Sequence, residues 1–481
     1  MLSHPRFALL LFGWNLWAAS FVFAADTKRD AWSFRMMGQD VAYVKQTDGQ
    51  WIFARPGKSI NPLEEVERSD DEIILQNVKS KLFIKLTDKQ AFWRQPKQET
   101  WTKYYMGSWS IPAKTVQDWI ESQQPKSPAT DDNAYEVRVI YFVPSDREPT
   151  ANWEEKTRTV VHFVDSMYQN DLQSKRLKTD GLIWEMEGEQ KKIHLVRGSQ
   201  PASFYNAAPA YDKNKQFRLV GKELRENGFG PGQLRLVFCE NYDLGPADML
   251  WNGTLALGAY ESARGGLAMF SAHILRDEFC DITPERQIAR FFDQTPVAGR
   301  RAMGHRMNSP RAEFVEDGFG AVIHELGHAL GLPHDFRDHD RHVMSNGFRQ
   351  IRRNLTSRTP KSKRVTFSDI NTLLLMSSRY LNSKIDREDN TPPKIGIEVL
   401  SVNRTTARVT LKLTASDDNG LRAFAIHDQN AEAYVAGDAI EGQEFEKEVT
   451  VVGKPKDGLL NLTLIVVDAG GNQTREKREL R

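Results

Sequence analysis

Three histidines and one glutamate lie close together in the stretch HELGHALGLPH, residues 324–334. His324 and His328 are four positions apart, so their side chains project from one face of a helix, about one turn apart. Glu325 points to a different sector of the same helix, where it can hold a water molecule without occupying a coordination position. The spacing therefore predicts a helix that presents two imidazoles to one metal ion.

The residues after this helix predict a third ligand. Gly331 can adopt a left-handed conformation and end the helix, and Pro333 cannot readily continue it. The chain then turns, so that His334 can return towards the other two histidines. Three protein ligands plus one water form the open tetrahedral arrangement of catalytic zinc, and Glu325 can act as the general base. A histidine-rich surface helix is the alternative.

The longer pattern HExxHxxGxxH resembles the zinc signature of the metzincin metallopeptidases, and the resemblance covers about residues 134–383. It implies one catalytic zinc ion and hydrolysis of peptide bonds. It also implies a methionine turn after the third histidine, which HVMSNGF supplies. By this resemblance, the zinc ligands would be His324, His328 and His334, the general base would be Glu325, and the turn methionine would be Met344.

The same resemblance implies a fold. It has a mixed sheet, a long active-site helix and an edge strand along which the substrate lies extended. GLAMFSA, residues 266–272, is the candidate edge strand, and an ordinary interior strand is the alternative. Phe348 follows the turn methionine where astacin-like and serralysin-like members have a tyrosine, so the subfamily stays unassigned.

The N-terminus predicts export to a location outside the cytoplasm. Arg6 precedes a long apolar run, and small residues before the expected cut favour a signal peptide at 1–24, cleaved after Ala24. An uncleaved anchor helix is the alternative. Export permits a disulfide between Cys239 and Cys280, and two buried thiols are the alternative.

Length and charge limit the class of protein. A chain of 481 residues is too long for one compact core, so two to four domains are expected. The net charge of +1 gives no reason to expect a polyanionic partner, so nucleic acid is not a predicted ligand. The expected partner is a protein or peptide substrate.

The predicted fold class is multidomain. An α+β metzincin-like domain at 134–383 is flanked by a β-rich domain at 26–130, which is an accessory domain or a propeptide. A linker at 384–394 leads to a β-sandwich at 395–481. The phrases TASDDNGL and VVDAGGN in this tail resemble bacterial immunoglobulin-like or fibronectin type III-like repeats. Either flanking domain could bind a glycan or a cell-surface ligand, although neither shows a ligand motif.

A second metal hypothesis concerns the turn after His334. Its acids and histidines could hold calcium, although a solvated, charged turn is the preferred interpretation. The residues are Asp335, Asp338, His339, Asp340 and His342.

Three interpretations of the function remain open from sequence. The first is a secreted zinc endopeptidase. The second is an exported binding or adhesion protein whose zinc domain is inactive or structural. A zinc hydrolase that acts on another amide or on a glycan-linked peptide is a third interpretation, because fold and motif do not fix the substrate.

Overall fold

A computed structural model describes residues 29–110 and 135–480, with gaps at 30, 37–38, 48–49, 55–60, 70, 180, 207–212, 243–255, 304, 383–384 and 387. The predicted signal peptide lies outside the described residues. The chain divides into two compact units, Met1–Lys114 and Thr115–Arg481, and each is described by itself. Within the described ranges, no helix is long and apolar enough to cross a membrane.

The first unit contains a closed antiparallel barrel of eight strands, in which β8 pairs back to β1. Large apolar side chains fill its interior, including Trp32, Phe34, Trp51 and Leu75. The tryptophans Trp32 and Trp51 are therefore core residues. The strands are β1 (Ala31–Met36), β2 (Gln39–Thr47), β3 (Gln50–Ala54), β4 (Asn61–Arg68), β5 (Glu72–Asn77), β6 (Phe83–Thr87), β7 (Gln90–Arg94) and β8 (Thr102–Ser110).

The second unit begins with a mixed five-stranded sheet in the order β12-β9-β13-β15-β14. Four strands run parallel, and β14 runs antiparallel at one edge. The stretch GLAMFSA forms β15, which lies between β13 and β14. The prediction that it is the edge strand was therefore wrong, and the alternative of an interior strand is confirmed. The strands are β9 (Val137–Val143), a small hairpin of β10 (Met186–Glu187) and β11 (Gln190–Lys191), β12 (Ile193–Arg197), β13 (Leu234–Cys239), β14 (Ala256–Ser262) and β15 (Gly265–Ser271).

Helices cover both faces of this sheet, as the burial of parallel strands requires. Side chains alternate across each strand, so Val139 and Tyr141 join one core and Ile140 and Phe142 join another. The predicted α+β character with a mixed sheet is confirmed. The helices are α1 (Trp153–Ser174), α2 (Ala202–Tyr205), α3 (Lys213–Glu226), α4 (Pro284–Phe291), α5 (Arg311–Ala329) and α6 (Asp369–Met376).

The C-terminal part of the second unit is a β-sandwich of two antiparallel sheets, β16-β17-β20 and β19-β18-β21-β22. Inward side chains of both sheets form one core. The strands are β16 (Lys394–Asn403), β17 (Arg408–Ser416), β18 (Leu421–Asp428), β19 (Ala433–Ala439), β20 (Glu444–Val452), β21 (Leu460–Asp468) and β22 (Gln473–Leu480).

Strand β18 is buried on both faces, and this explains why it lacks a polar side. Phe424 and Ile426 point into the sandwich, whereas Ala423 and Ala425 belong to the core of the mixed-sheet region. The sandwich and the mixed-sheet region therefore share apolar packing. The predicted linker at 384–394 lies inside one compact unit.

The disulfide considered from sequence is not formed. Cys239 and Cys280 are both free and buried. Cys239 packs in the core on one face of the sheet and Cys280 in the core on the other. Burial raises the pKa of both thiols, so they stay protonated and inert at neutral pH.

Candidate metal centre

Helix α5 presents His324 and His328, and backbone carbonyls fix the orientation of both rings. Nδ1 of His324 lies 2.8 Å from the carbonyl oxygen of Val343, and Nδ1 of His328 lies 2.8 Å from that of Leu332. A carbonyl oxygen can only accept, so each Nδ1 carries the proton. Each Nε2 therefore keeps a lone pair for a metal.

The end of helix α5 turns the chain as the sequence predicts. Gly331 has a φ of 88°, and the N–H of Leu332 donates to the carbonyl of Gly327 at 2.9 Å. This is the hydrogen bond of a glycine-terminated helix end. His334 then faces the helix. The centroid of its ring lies 5.3 Å from that of His324 and 4.7 Å from that of His328. One nitrogen from each of the three histidines lies within 4.8 Å of the others.

The two helix histidines are neutral at physiological pH. Burial, with a further effect of His328, lowers the pKa of His324 well below its ordinary value. Burial, with a further effect of His334, lowers the pKa of His328 to about 4. Neutral imidazoles are the form that binds a metal, so His324 and His328 are ready to coordinate.

The segment after His334 returns beneath helix α5. Met344 is fully buried and packs beside Gly327. Its carbonyl accepts from the N–H of Asp335 at 2.8 Å, next to the Val343 carbonyl that orients His324. Met344 is therefore a buried apolar side chain packed against the helix that carries His324 and His328.

The residues that follow the methionine also contact the centre. The ring of Phe348 lies 4.6 Å from that of His324. Ion pairs from the next segment anchor it to helix α5, with Arg349 3.2 Å from Asp317 and Arg352 paired with Glu316.

The edge strand β14 lies directly against helix α5. A Cβ added at Gly258 would clash with the carbonyl group of Glu325 and come within 2.9 Å of the Cβ of His328. Only a residue without a side chain allows this approach. The spacing between the outer strand of the sheet and the metal helix thus depends on Gly258.

Replacing Gly258 with alanine should lower the free energy of unfolding by about 1–3 kcal/mol, the cost of forcing atoms into a packed contact. Denaturant unfolding of the full chain measures the change. The matched control is Gly232→Ala, because a Cβ at Gly232 meets no atom within 4 Å. Equal stability of both variants would show that the strand can move away from the helix without loss.

The β-sandwich supports the third histidine. Nε2 of His427, in β18, donates to the carbonyl oxygen of His334 at 2.8 Å. Oε2 of Glu432 lies 3.7 Å from Nδ1 of His334. His427 is 2% exposed, so its hydrogen bond is shielded from water. This role of His427 cannot be predicted from the sequence, because 93 positions separate it from His334 and no local pattern joins them.

The sandwich also holds the helix end. The guanidinium of Arg475, in β22, donates to the carbonyl of Gly331, and its carbon lies 4.6 Å from the ring centre of Tyr260 in β14. The hydroxyl of Tyr260 donates in turn to the carbonyl of Gln473 at 3.0 Å. The strand beside the metal helix and the turn before the third ligand are therefore fixed by one strand of the sandwich.

The calcium hypothesis for the turn after His334 is not supported. Asp335 makes a paired hydrogen bond with Arg337, at 2.8 and 2.7 Å. Burial raises the pKa of Asp335, but the bonds and charge of Arg337 outweigh it, so the net pKa is lowered. Asp338 lies 3.3 Å from Arg341. In the described part of the chain, the side-chain groups able to hold a metal are the three histidines and a cluster at Asp389, Asp417 and Asp468.

Comparison with known proteins gives two findings. Residues 184–377, which contain the three histidines and Met344, match a family model described as "Putative peptidase family". The second finding is a shared fold with OgpA from Akkermansia muciniphila. Catalytically inactive OgpA in complex with an O-glycopeptide (glycodrosocin) substrate superposes with a TM-score of 0.51 and 13% identity, over 74% of this chain and 96% of that chain.

Wild-type OgpA gives a TM-score of 0.50 and 12% identity, over the same shares of both chains. No curated protein matches the sequence. The family match over the region that contains the three histidines supports a peptidase, and the likeness to OgpA shows the fold.

Proposed function

We propose that this chain is a secreted zinc-dependent endopeptidase of the metzincin type. The observation that carries the proposal is the convergence of three imidazoles, with Glu325 beside them on the same helix. Among the described residues, the group contains no fourth protein ligand. An open position of this kind is typical of catalytic zinc, whereas structural zinc sites are closed by four protein ligands.

The donor set fits zinc, because neutral imidazoles are among its preferred ligands. When bound there, zinc would supply a Lewis acid that activates water and polarises the scissile carbonyl. Glu325 accepts the proton from the attacking water and delivers it to the departing amine. The carbonyls of Val343 and Leu332 keep the two helix rings in the metal-binding tautomer.

The proposed substrate is a peptide that lies along β14. Among the described strands, β14 pairs only with β15, so its other side has no strand partner. An extended peptide can add to such an edge by backbone hydrogen bonds. The edge runs past Glu325 and His328, so a peptide bound there would pass the metal centre. Because OgpA was captured with an O-glycopeptide, a glycosylated peptide is proposed beside a plain one.

Further parts of the proposal concern the rest of the chain. The sequence at 1–24 supports export and cleavage. We assign the N-terminal barrel as an accessory domain or a propeptide, and the C-terminal sandwich as immunoglobulin-like or fibronectin type III-like. The pair of antiparallel sheets around one core supports the assignment of the C-terminal sandwich.

The second candidate is an exported binding or adhesion protein with an inactive or structural zinc domain. The two β domains favour it. Against it stands Glu325, because a structural zinc site has no use for a carboxylate that is not a ligand.

Metal content and peptide cleavage, measured together, test the proposal. We expect one zinc ion per chain and cleavage that a chelator stops and added zinc restores. The substrates are peptides of one sequence with and without an O-linked glycan, so the rate ratio reports the substrate class. Zinc at one per chain without cleavage of either set, even after removal of residues 1–114, would favour the binding protein.

A further inference from the structure

A second cluster of ionisable groups lies where the sandwich meets the segment that leads into it. Asp389 precedes β16, Asp417 follows β17, and Asp468 ends β21. One carboxylate oxygen from each lies within 4.8 Å of the others. These three aspartates are called the aspartate cluster below.

The aspartate cluster is buried. Asp389 is 4% exposed, Asp417 8% and Asp468 0%. Buried carboxylates are ordinarily paired or bound to a metal, because removing three negative charges from water is costly. A solvated acidic surface therefore does not account for the cluster.

One atom of the aspartate cluster lacks a partner. Oδ2 of Asp389 is buried and accepts no hydrogen bond, while Oδ1 accepts from the N–H of Thr391 at 3.1 Å. Turn amides hold the other two aspartates, with Asn419 donating to Asp417 at 2.9 Å and Asn472 to Asp468 at 2.7 Å. A buried carboxylate oxygen without a partner, beside two further carboxylates, requires an explanation, and a bound cation would supply one.

Two buried guanidinium groups, Arg379 and Arg422, act electrostatically on Asp468. The bonds of Arg379 go to the side chain of Asn472 and to the carbonyls of Gly470 and Asp389. Burial, with Asp389 and Asp417 as further causes, still raises the pKa of Asp468 to about 8.

We propose that the aspartate cluster is a calcium site that joins the segment after the peptidase region to the β-sandwich. Oxygen ligands select a hard cation. Calcium is favoured over magnesium because three carboxylates converge. Magnesium usually keeps several waters and binds one or two carboxylates. Asp389 packs so closely on Gly470 that a Cβ added at Gly470 would come within 2.8 Å of its carbonyl oxygen and of its side-chain carbons, so the segment is packed onto the sandwich.

Calcium binding and thermal unfolding of the full-length, zinc-saturated chain test this proposal. Equilibrium dialysis with radioactive calcium should find one more calcium ion bound to the native chain than to Asp417→Asn or Asp389→Asn. Zinc content should be equal in all three. Asp438→Asn is the matched control, because Asp438 lies on β19 of the same sandwich and pairs with Lys447 at 3.4 Å.

The midpoint of unfolding gives a second readout. Without calcium and above pH 8, where Asp468 is ionised, Asp468→Asn should melt at or above the native midpoint, because it removes a buried negative charge. With calcium, the native chain should melt several degrees higher than the variant, so the ranking reverses. An unchanged ranking, or equal calcium binding by native and variant chains, would overturn the proposal. Equal stabilisation by magnesium would overturn the choice of calcium. Both readouts are independent of peptidase activity.

Discussion

Replacing Glu325 with glutamine should lower kcat for peptide cleavage by about 10²–10⁴-fold, the usual contribution of a general base. The amide is nearly isosteric with the carboxylate but cannot accept a proton from water. Glu325 does not belong to the group of side chains that could hold the metal, so the zinc content of the variant should equal that of the native chain. Steady-state kinetics and metal analysis on the same preparation measure both quantities.

Glu313→Gln is the matched control for this experiment. Glu313 lies in the first turn of the same helix and pairs with His305 at 3.1 Å. Its replacement removes a carboxylate from α5 about three turns away from His324, His328 and His334, and kcat should hold within about twofold, as for a substitution away from the site. A Glu325→Gln enzyme with native kcat would remove the general-base role.

Replacing His427 with leucine should weaken zinc binding by about 10–100-fold, the range for groups that orient metal ligands. His427 does not contact the metal position itself. Its hydrogen bond to the His334 carbonyl fixes the backbone from which the third imidazole projects. Without that bond, the carbonyl of His334 loses its donor and the turn can shift. Competition with a zinc-binding dye measures the affinity.

Two further variants separate positioning from general stability. Glutamine at position 427 carries an amide that can donate where the imidazole Nε2 does, so His427→Gln should recover much of the affinity. Tyr434→Phe removes a 2.7 Å bond to Asn371 in the same interface without touching His334. It should reduce stability and leave zinc affinity unchanged. Equal loss of zinc affinity in Tyr434→Phe and His427→Leu would mean that the sandwich acts only by stabilising the fold.

Local sequence was enough to predict that three histidines converge. His324 and His328 share a helix face because of a four-residue spacing, and Gly331 ends that helix because of its conformational freedom. These effects operate within a few residues, so they can be read without knowledge of the fold. Strand alternation predicted the sheets of the C-terminal part for the same reason.

The order of strands within a sheet could not be read in this way. The apolar run GLAMFSA is compatible with an edge or an interior position, and only the pairing of β14 outside β15 decides between them. The two cysteines are a similar case. Export permits a bridge, but Cys239 and Cys280 pack on opposite faces of one sheet.

The sequence by itself determined which residues make up the candidate site: the three imidazoles, the adjacent carboxylate and the turn that brings the third imidazole towards the other two. The tertiary structure alone decided what supports that site. His427 and Arg475 reach the metal site from strands that looked like a separate module. Asp389, Asp417 and Asp468 meet only after three distant turns pack together. Contacts between residues far apart in the chain depend on how whole elements pack, and no local spacing records that packing.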